Sequence, residues 1–194
     1  MYYDTDLEFF RRFKILETRY KELSNEIPPF DPTKVTFKRK RGVWLDEKTD
    51  EYKEMIKGLS STTEWVEGCN SNSTWYNFPL ILKDQPIGFS KEICPVTIGI
   101  LQSIGGINVA GFAILCPHSS LPIHTDVTGP TYGSMAFNML ISGEKSSLVV
   151  GKSAPHEHEL GKAVLFNSEI PHYARNDSDI NRTILYMDVN LQVS

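Results

Sequence analysis

Residues 134–151 read SMAFNMLISGEKSSLVVG, two apolar runs parted by Gly143-Glu144-Lys145. Apolar and β-branched residues that stop at a glycine-led polar turn and then resume predict two short strands. The same texture continues outward on both sides. Upstream lie INVAGFAILC from Ile107 and WYNFPLILK from Trp75; downstream lie GKAVLFN from Gly161 and RTILYMDVNL from Arg182. Several short strands with turns between them predict a β-sandwich or barrel. Eleven prolines and thirteen glycines supply the turns that such a fold needs.

Helices are expected on the flanks. Phe9, Phe13, Leu16, Tyr20, Leu23 and Ile27 recur at steps of four and three, the spacing of one helical face. An amphipathic helix is therefore expected over about 5–27, with Thr5 and Glu8 as a capping box and Pro28-Pro29 as its stop. A short helix is expected around Glu51–Leu59, and another over Pro95–Ile104 with proline near its start. The stretch from Phe30 to about Leu45 looks strand-like, and its Lys38-Arg39-Lys40-Arg41 run reads as a solvated edge. Together these elements predict a mainly β jelly roll with N-terminal and flanking helices packed on its outer face. One domain is expected over 1–194, with N-terminal helix and flanking elements in 1–74 and the β core in 75–194.

Composition removes several classes of function. A net charge of −4 argues against a general nucleic-acid binder. No apolar run reaches the roughly 18 residues of a membrane span, so no membrane insertion is expected. MYYDTDLEFFRRF is not a signal-peptide pattern. The three cysteines, Cys69, Cys94 and Cys116, are odd in number and widely spaced. Free thiols and a cytoplasmic location are expected, without a thiolate zinc site.

The chemistry rests on the histidines. His124 and Asp126 flank Thr125, and on an extended segment residues two apart face the same side, about 7 Å apart at Cα. His172, after Pro171, is placed to add a third ligand from a distant strand. Two imidazoles and a carboxylate on one face of an octahedral ion leave three positions open, the arrangement of non-haem iron(II) oxygenases. Those positions would take a bidentate 2-oxo acid and O₂. Arg182 opens the next predicted strand, where its planar fork can grip a far carboxylate with two parallel hydrogen bonds. His156-Glu157-His158-Glu159 is a rival metal cluster. It lies between Pro155 and Gly161, which predicts a solvated loop between strands, with a substrate-facing rim as the alternative to a metal site. His118 reads as structural or exposed, and Arg175 as a surface residue.

The ordered series of segments resembles the aspartyl/asparaginyl β-hydroxylase family of 2-oxoglutarate oxygenases. It begins with Trp75, Phe78-Pro79-Leu80 and Cys94-Pro95-Val96-Thr97, and continues through Gly111-Phe112-Ala113, Pro117, His124 and Gly129-Pro130-Thr131. It closes with Glu159-Leu160-Gly161-Lys162-Ala163-Val164-Leu165-Phe166, His172, Arg182 and Met187-Asp188-Val189. The resemblance implies a double-stranded β-helix, with His124 and His172 as iron ligands and Arg182 on the distal carboxylate of 2-oxoglutarate. It departs from the family at several positions. Members acting on peptidyl Asp or Asn often carry Gly where this chain has Asp126. Positions matching Ala136 and Asn138 commonly hold Arg and His for the inner carboxylate; Ala136 cannot serve, whereas Asn138 can donate one hydrogen bond. Ala113 stands where a Ser often assists Arg182.

The expected function is Fe(II)- and 2-oxoglutarate-dependent hydroxylation of a C–H bond, consuming O₂ and releasing succinate and CO₂. The substrate class is an amino acid, a peptide side chain or another small acid. The alternative is a cupin-type metal-binding protein without oxygen chemistry, an isomerase or ligand sensor; His172 followed by Asn176 fits a cupin motif. Arg182 separates the two, because only the oxygenase needs a 2-oxoglutarate clamp.

Overall fold

The computed structural model describes residues 2–3, 8–35, 37–38, 48–69, 72–126 and 135–189. Its strands are β1 (Tyr2–Tyr3), β2 (Val66–Glu67), β3 (Trp75–Leu82), β4 (Gln85–Pro86), β5 (Ile107–Leu115) and β6 (Ser119–Ser120). They continue with β7 (Met135–Ser142), β8 (Ser146–Val150), β9 (His156–Glu157), β10 (Ala163–Asn167), β11 (His172–Asn176) and β12 (Arg182–Val189). The helices are α1 (Lys14–Thr18), α2 (Tyr20–Asn25), α3 (Asp50–Ser61), α4 (Ser90–Ile93) and α5 (Pro95–Ile104).

The strands form two sheets. The larger runs β1-β10-β7-β12-β5-β3-β2, with β4 paired to β3; the smaller runs β6-β11-β8-β9. From β5 onward the chain crosses repeatedly between them, so antiparallel strand pairs wind up as a helical ribbon. This is the expected double-stranded β-helix. Side-chain alternation gives each sheet two uses. Phe137, Met139, Leu185 and Met187 face outward into the main core, where Phe13, Leu16, Leu23, Ile98 and Leu101 of the helical layer cover them. The Phe13 and Phe137 rings sit 5.6 Å apart. On the inner face Ala136, Val164 and Phe166 of the larger sheet meet Leu148, Val150 and Ala174 of the smaller one.

The helical layer is tied by charge as well as by packing. Glu26, at the end of α2, accepts hydrogen bonds from Val96 N at 2.9 Å and Thr97 N at 2.7 Å. These are amides at the first turn of α5 that lack partners within that helix. Thr49 caps α3 by accepting from Tyr52 N at 3.2 Å.

The N-terminal helix differs from expectation. It is broken into a 3-10 turn over Glu8–Phe13 followed by α1 and α2, with Arg19 between the two helices. Phe13, Leu16 and Leu23 are nevertheless buried as one stripe. Breaking the helix lets that stripe follow the twisted sheet beneath it. Thr5, the side chain of Phe9, Arg39-Lys40-Arg41, Leu45 and Gly129-Pro130-Thr131 lie outside the described residues. Within the stretch expected to be a strand from Phe30, Pro32–Lys34 is a 3-10 turn. Lys38 pairs its ammonium with Glu67 at 2.9 Å, as a solvated edge would. Cys69, Cys94 and Cys116 are free. Burial pushes the Cys94 thiol up to about 12. Among the described residues no helix is long and apolar enough to cross a membrane.

Candidate functional site

His124 and His172 form an isolated antiparallel bridge. Each amide donates to the other's carbonyl, at 3.0 Å from His124 and 2.8 Å from His172. The pairing sets the two imidazoles side by side, with ring centroids 4.3 Å apart. Asp126 is held near them through its own amide, which donates to Ser168 O at 3.0 Å. Its carboxylate oxygens lie 3.7 Å from His124 Nε2 and 3.5 Å from His172 Nε2. All three donor atoms fall within 4.8 Å of one another.

The orientation of both rings follows from their partners. His124 Nδ1 lies 2.7 Å from Pro122 O, and His172 Nδ1 lies 2.9 Å from Ile170 O. A carbonyl oxygen only accepts, so each Nδ1 donates there and each Nε2 is the ring atom turned towards Asp126 and available to a metal. This second-layer bonding is what orients imidazoles for a metal. Two imidazole lone pairs and a carboxylate are a donor set fit for a divalent ion. His172 is 5 % exposed and Asp126 48 %, so the trio sits at an open mouth with His172 as its inner wall. Phe166 packs against the His172 ring at 4.9 Å.

Arg182 stands at the other end of the interior. β11 pairs His172 with Val150 and Asn176 with Ser146, while Arg182 bonds to Ser146. The run from Val150 back to Ser146 is roughly 13 Å at about 3.3 Å per residue, so the guanidinium end lies well below the histidines. That end is closed. Asn176 donates its amide to Leu115 O at 3.0 Å and Ile180 O at 2.8 Å, sealing the β5, β11 and β12 ends together. Gly143, at φ 115°, lies against Arg182; a Cβ there would come within 2.9 Å of Arg182 Cα. Only glycine permits that approach without strain.

Arg182 is 1 % exposed. Its Nε donates to Ser146 Oγ at 2.7 Å, while its Nη2 is buried with no hydrogen-bond partner among the described residues. Desolvation brings the guanidinium down to about 10. Asn138 lies mid-strand on β7, half-buried between Val164 and Tyr186, on the same inner face as Ala136.

One expectation is corrected here. His156-Glu157-His158-Glu159 is not a solvated loop: His156–Glu157 is β9, paired with β8, and His158 is 8 % exposed. Pairing to the β8 edge turns the segment inward and brings His158 Nδ1 within 3.1 Å of Ser146 Oγ. Desolvation first, then the Arg182 charge, brings the His158 imidazole down to about 3, so it is neutral. His156 is half-buried against Tyr2, with rings 5.2 Å apart. His118 pairs with Asp179 at 2.8 Å and Arg175 with Asp177 at 2.8 Å, all at the surface. Ser146 and His158 thus share the buried polar cluster of Arg182, a grouping that sequence reasoning missed.

Residues 45–191 match the family model described as aspartyl/asparaginyl beta-hydroxylase. The chain belongs to this hydroxylase family. A curated relative, an ornithine lipid ester-linked acyl 2-hydroxylase of Rhizobium tropici, is 28 % identical over 137 residues. That alignment covers 69 % of this chain and 44 % of the relative, so the chain spans less than half of the relative's length. Among solved structures, a predicted oxalate decarboxylase of Thermotoga maritima matches with TM-score 0.41 at 15 % identity. That match covers 60 % of this chain and 81 % of the other. A cupin domain of a transcriptional regulator from Enterobacter cloacae matches with TM-score 0.35 at 20 % identity, over 41 % of this chain and 77 % of that one. In this β-hydroxylase family member Ala113 offers no hydroxyl to the arginine, and Ser146 of the opposite sheet supplies one.

Proposed function

We propose that this chain is an Fe(II)- and 2-oxoglutarate-dependent oxygenase that hydroxylates a C–H bond and releases succinate and CO₂. The observation that carries the reading is the two-ended interior. A His-Asp-His donor set lies at the open mouth, and a buried guanidinium with a free N–H lies at the closed end. A metal-binding protein without a diacid cosubstrate has no use for the second feature, because burying an unpaired charge is costly.

His124, Asp126 and His172 would hold the iron, and His172 and Phe166 would form the inner wall beside it. Bound iron, with 2-oxoglutarate and O₂, would supply the oxidising power for C–H hydroxylation. Arg182 would bind the distal carboxylate, and Asn138 would donate a hydrogen bond to the inner carboxylate. Pro122 O and Ile170 O keep both histidines in the metal-binding tautomer. The apolar side chains of the inner cluster, Leu148, Val164 and Ala174 among them, would exclude water from the diacid's methylenes. The half-exposed Asp126 leaves the metal open to a substrate approaching from outside. Substrate candidates are an amino acid, a peptide side chain or another small acid. The acyl 2-hydroxylase relative adds a lipid-linked acyl chain to them.

The test is succinate release by purified protein with Fe(II), 2-oxoglutarate and O₂, over a panel of amino acids, peptides and acyl lipids. At least one class should raise succinate in step with a hydroxylated product. Metal-dependent turnover of a panel member without 2-oxoglutarate would move the chain to the cupin-type reading.

A further inference from the structure

The closed end of the barrel holds more than the arginine. Arg182 Nε, Ser146 Oγ and His158 Nδ1 form a chain with links of 2.7 Å and 3.1 Å. All three residues are buried, and two polar atoms of the group, Arg182 Nη2 and His158 Nε2, have no hydrogen-bond partner among the described residues.

The direction of the chain can be worked out. The guanidinium only donates, so Ser146 Oγ accepts from Arg182. The Ser146 hydroxyl hydrogen then needs an acceptor, and buried hydroxyls rarely go without one. His158 Nδ1 is that acceptor. The other tautomer would turn Nδ1–H towards the Ser146 oxygens, its carbonyl included, and leave the buried hydroxyl hydrogen without this acceptor. His158 therefore carries its single proton on Nε2, and that N–H is a second unpartnered donor beside the guanidinium. Two buried donors without acceptors, one of them charged, make a site for an anion with at least two acceptor oxygens. His158 also follows β9, on the edge of the smaller sheet, while Arg182 opens β12 of the larger one, so the two can approach one carboxylate from different directions.

From this geometry we infer that His158, set in its Nε2–H tautomer by Ser146, is a second binding residue for the distal carboxylate of the 2-oxo diacid. The inference rests on the oxygenase reading given above. It assigns to the His156–His158 segment a cosubstrate role in place of a metal-binding one. It also adds a neutral donor to the charged one, so one oxygen would be held by the charged Nη2–H and the other by an uncharged N–H. The neutral imidazole adds recognition without adding a second buried charge.

The experiment is calorimetric titration of the manganese-loaded full chain with two ligands. One is 2-oxoglutarate; the other is 2-oxopentanoate, which keeps the chain length and lacks the far carboxylate. His158→Leu should weaken 2-oxoglutarate binding about tenfold, equal to about 1.4 kcal/mol, and leave 2-oxopentanoate unchanged. His158→Gln, whose amide keeps an N–H, should recover part of the loss. Ser146→Ala provides a second route should the leucine variant fail to fold, with the same selective loss expected. Nitrogen NMR of the wild-type protein should show His158 protonated at Nε2. Equal 2-oxoglutarate affinity in wild type and His158→Leu, equal losses for both ligands, or protonation at Nδ1 would each overturn the inference while the oxygenase reading stood. Wild type that fails to bind 2-oxoglutarate would overturn the oxygenase reading itself, and the role of His158 with it.

Discussion

Replacing Arg182 by Met should make the ligand-free protein more stable while removing its affinity for 2-oxoglutarate. Lowering the guanidinium from 12.5 to about 10 by burial is worth about 3 kcal/mol, at about 1.4 kcal/mol per pH unit. The sign follows from linkage. Between pH 10 and 12.5 the unfolded chain binds the proton more tightly than the folded one, so stability rises with pH there. Below about pH 10 the full cost is present, and neutral pH lies far below it. Against this relief stands the Nε bond to Ser146 Oγ at 2.7 Å, a charged hydrogen bond worth about 1.5–3 kcal/mol. The balance is a gain of up to about 1.5 kcal/mol, or a Tm rise of up to about 6 °C for a chain of this size. Saturating 2-oxoglutarate with manganese should raise the Tm of wild type, by a free energy of about 2.7 kcal/mol at a hundredfold excess over Kd. Adding 2-oxoglutarate to the manganese-loaded variant should leave its Tm unmoved. Thermal unfolding with and without ligand reads both effects. A ligand-free Arg182→Met protein that loses 3–5 kcal/mol, the cost of breaking a buried ion pair, would refute the reasoning. Arg182 would then be bonded for structure and not held ready for an anion.

Asp126→Ala should lower manganese affinity by at least tenfold with little change in Tm, because the carboxylate is half-exposed and its removal opens no cavity; metal titration measures it. His156→Ala should leave metal binding unchanged, since the described donor set does not include it. His158→Gln should flatten the acid limb of stability. The imidazole is brought down from 6.5 to about 3, so over that window the unfolded chain takes up a proton that the folded one refuses. Wild type should therefore lose about 4 kcal/mol more than the variant between pH 6.5 and 3, read from urea unfolding at each pH. Glu26→Ala should cost about 1–2 kcal/mol by stripping the first turn of α5 of its acceptor, seen as a fall in the urea midpoint.

The long strands were legible because each is a run of apolar residues bounded by turn residues, as in Met135–Ser142 and Arg182–Val189. β11 was not. Its residues His172-Tyr173-Ala174-Arg175-Asn176 alternate buried and exposed as a strand should, but the buried positions hold His and Asn where a hydrophobic pattern expects Val or Leu. β1, β6 and β9 are two residues long and exist only through their partners. The break at Arg19 follows the shape of the sheet below, which helical periodicity does not encode. In the site, His124, Asp126, His172 and Arg182 stood out by residue type and order. Ser146 looked like any strand-opening serine, and His158, between two glutamates, looked solvated. Its burial comes from β9 pairing with β8, a contact that local sequence does not contain. The signal that was available is the close recurrence of His156 and His158, which places both rings on one side of an extended segment.

The central claim is that one interior holds a metal at its mouth and a diacid across its depth. Calorimetry with manganese followed by 2-oxoglutarate tests it most directly, because no turnover obscures binding. The account predicts one metal per chain, then one 2-oxoglutarate per metal-loaded chain, with the second event lost in Arg182→Met and the first in His172→Ala. Tight manganese binding with no heat from 2-oxoglutarate in the wild-type protein would contradict it.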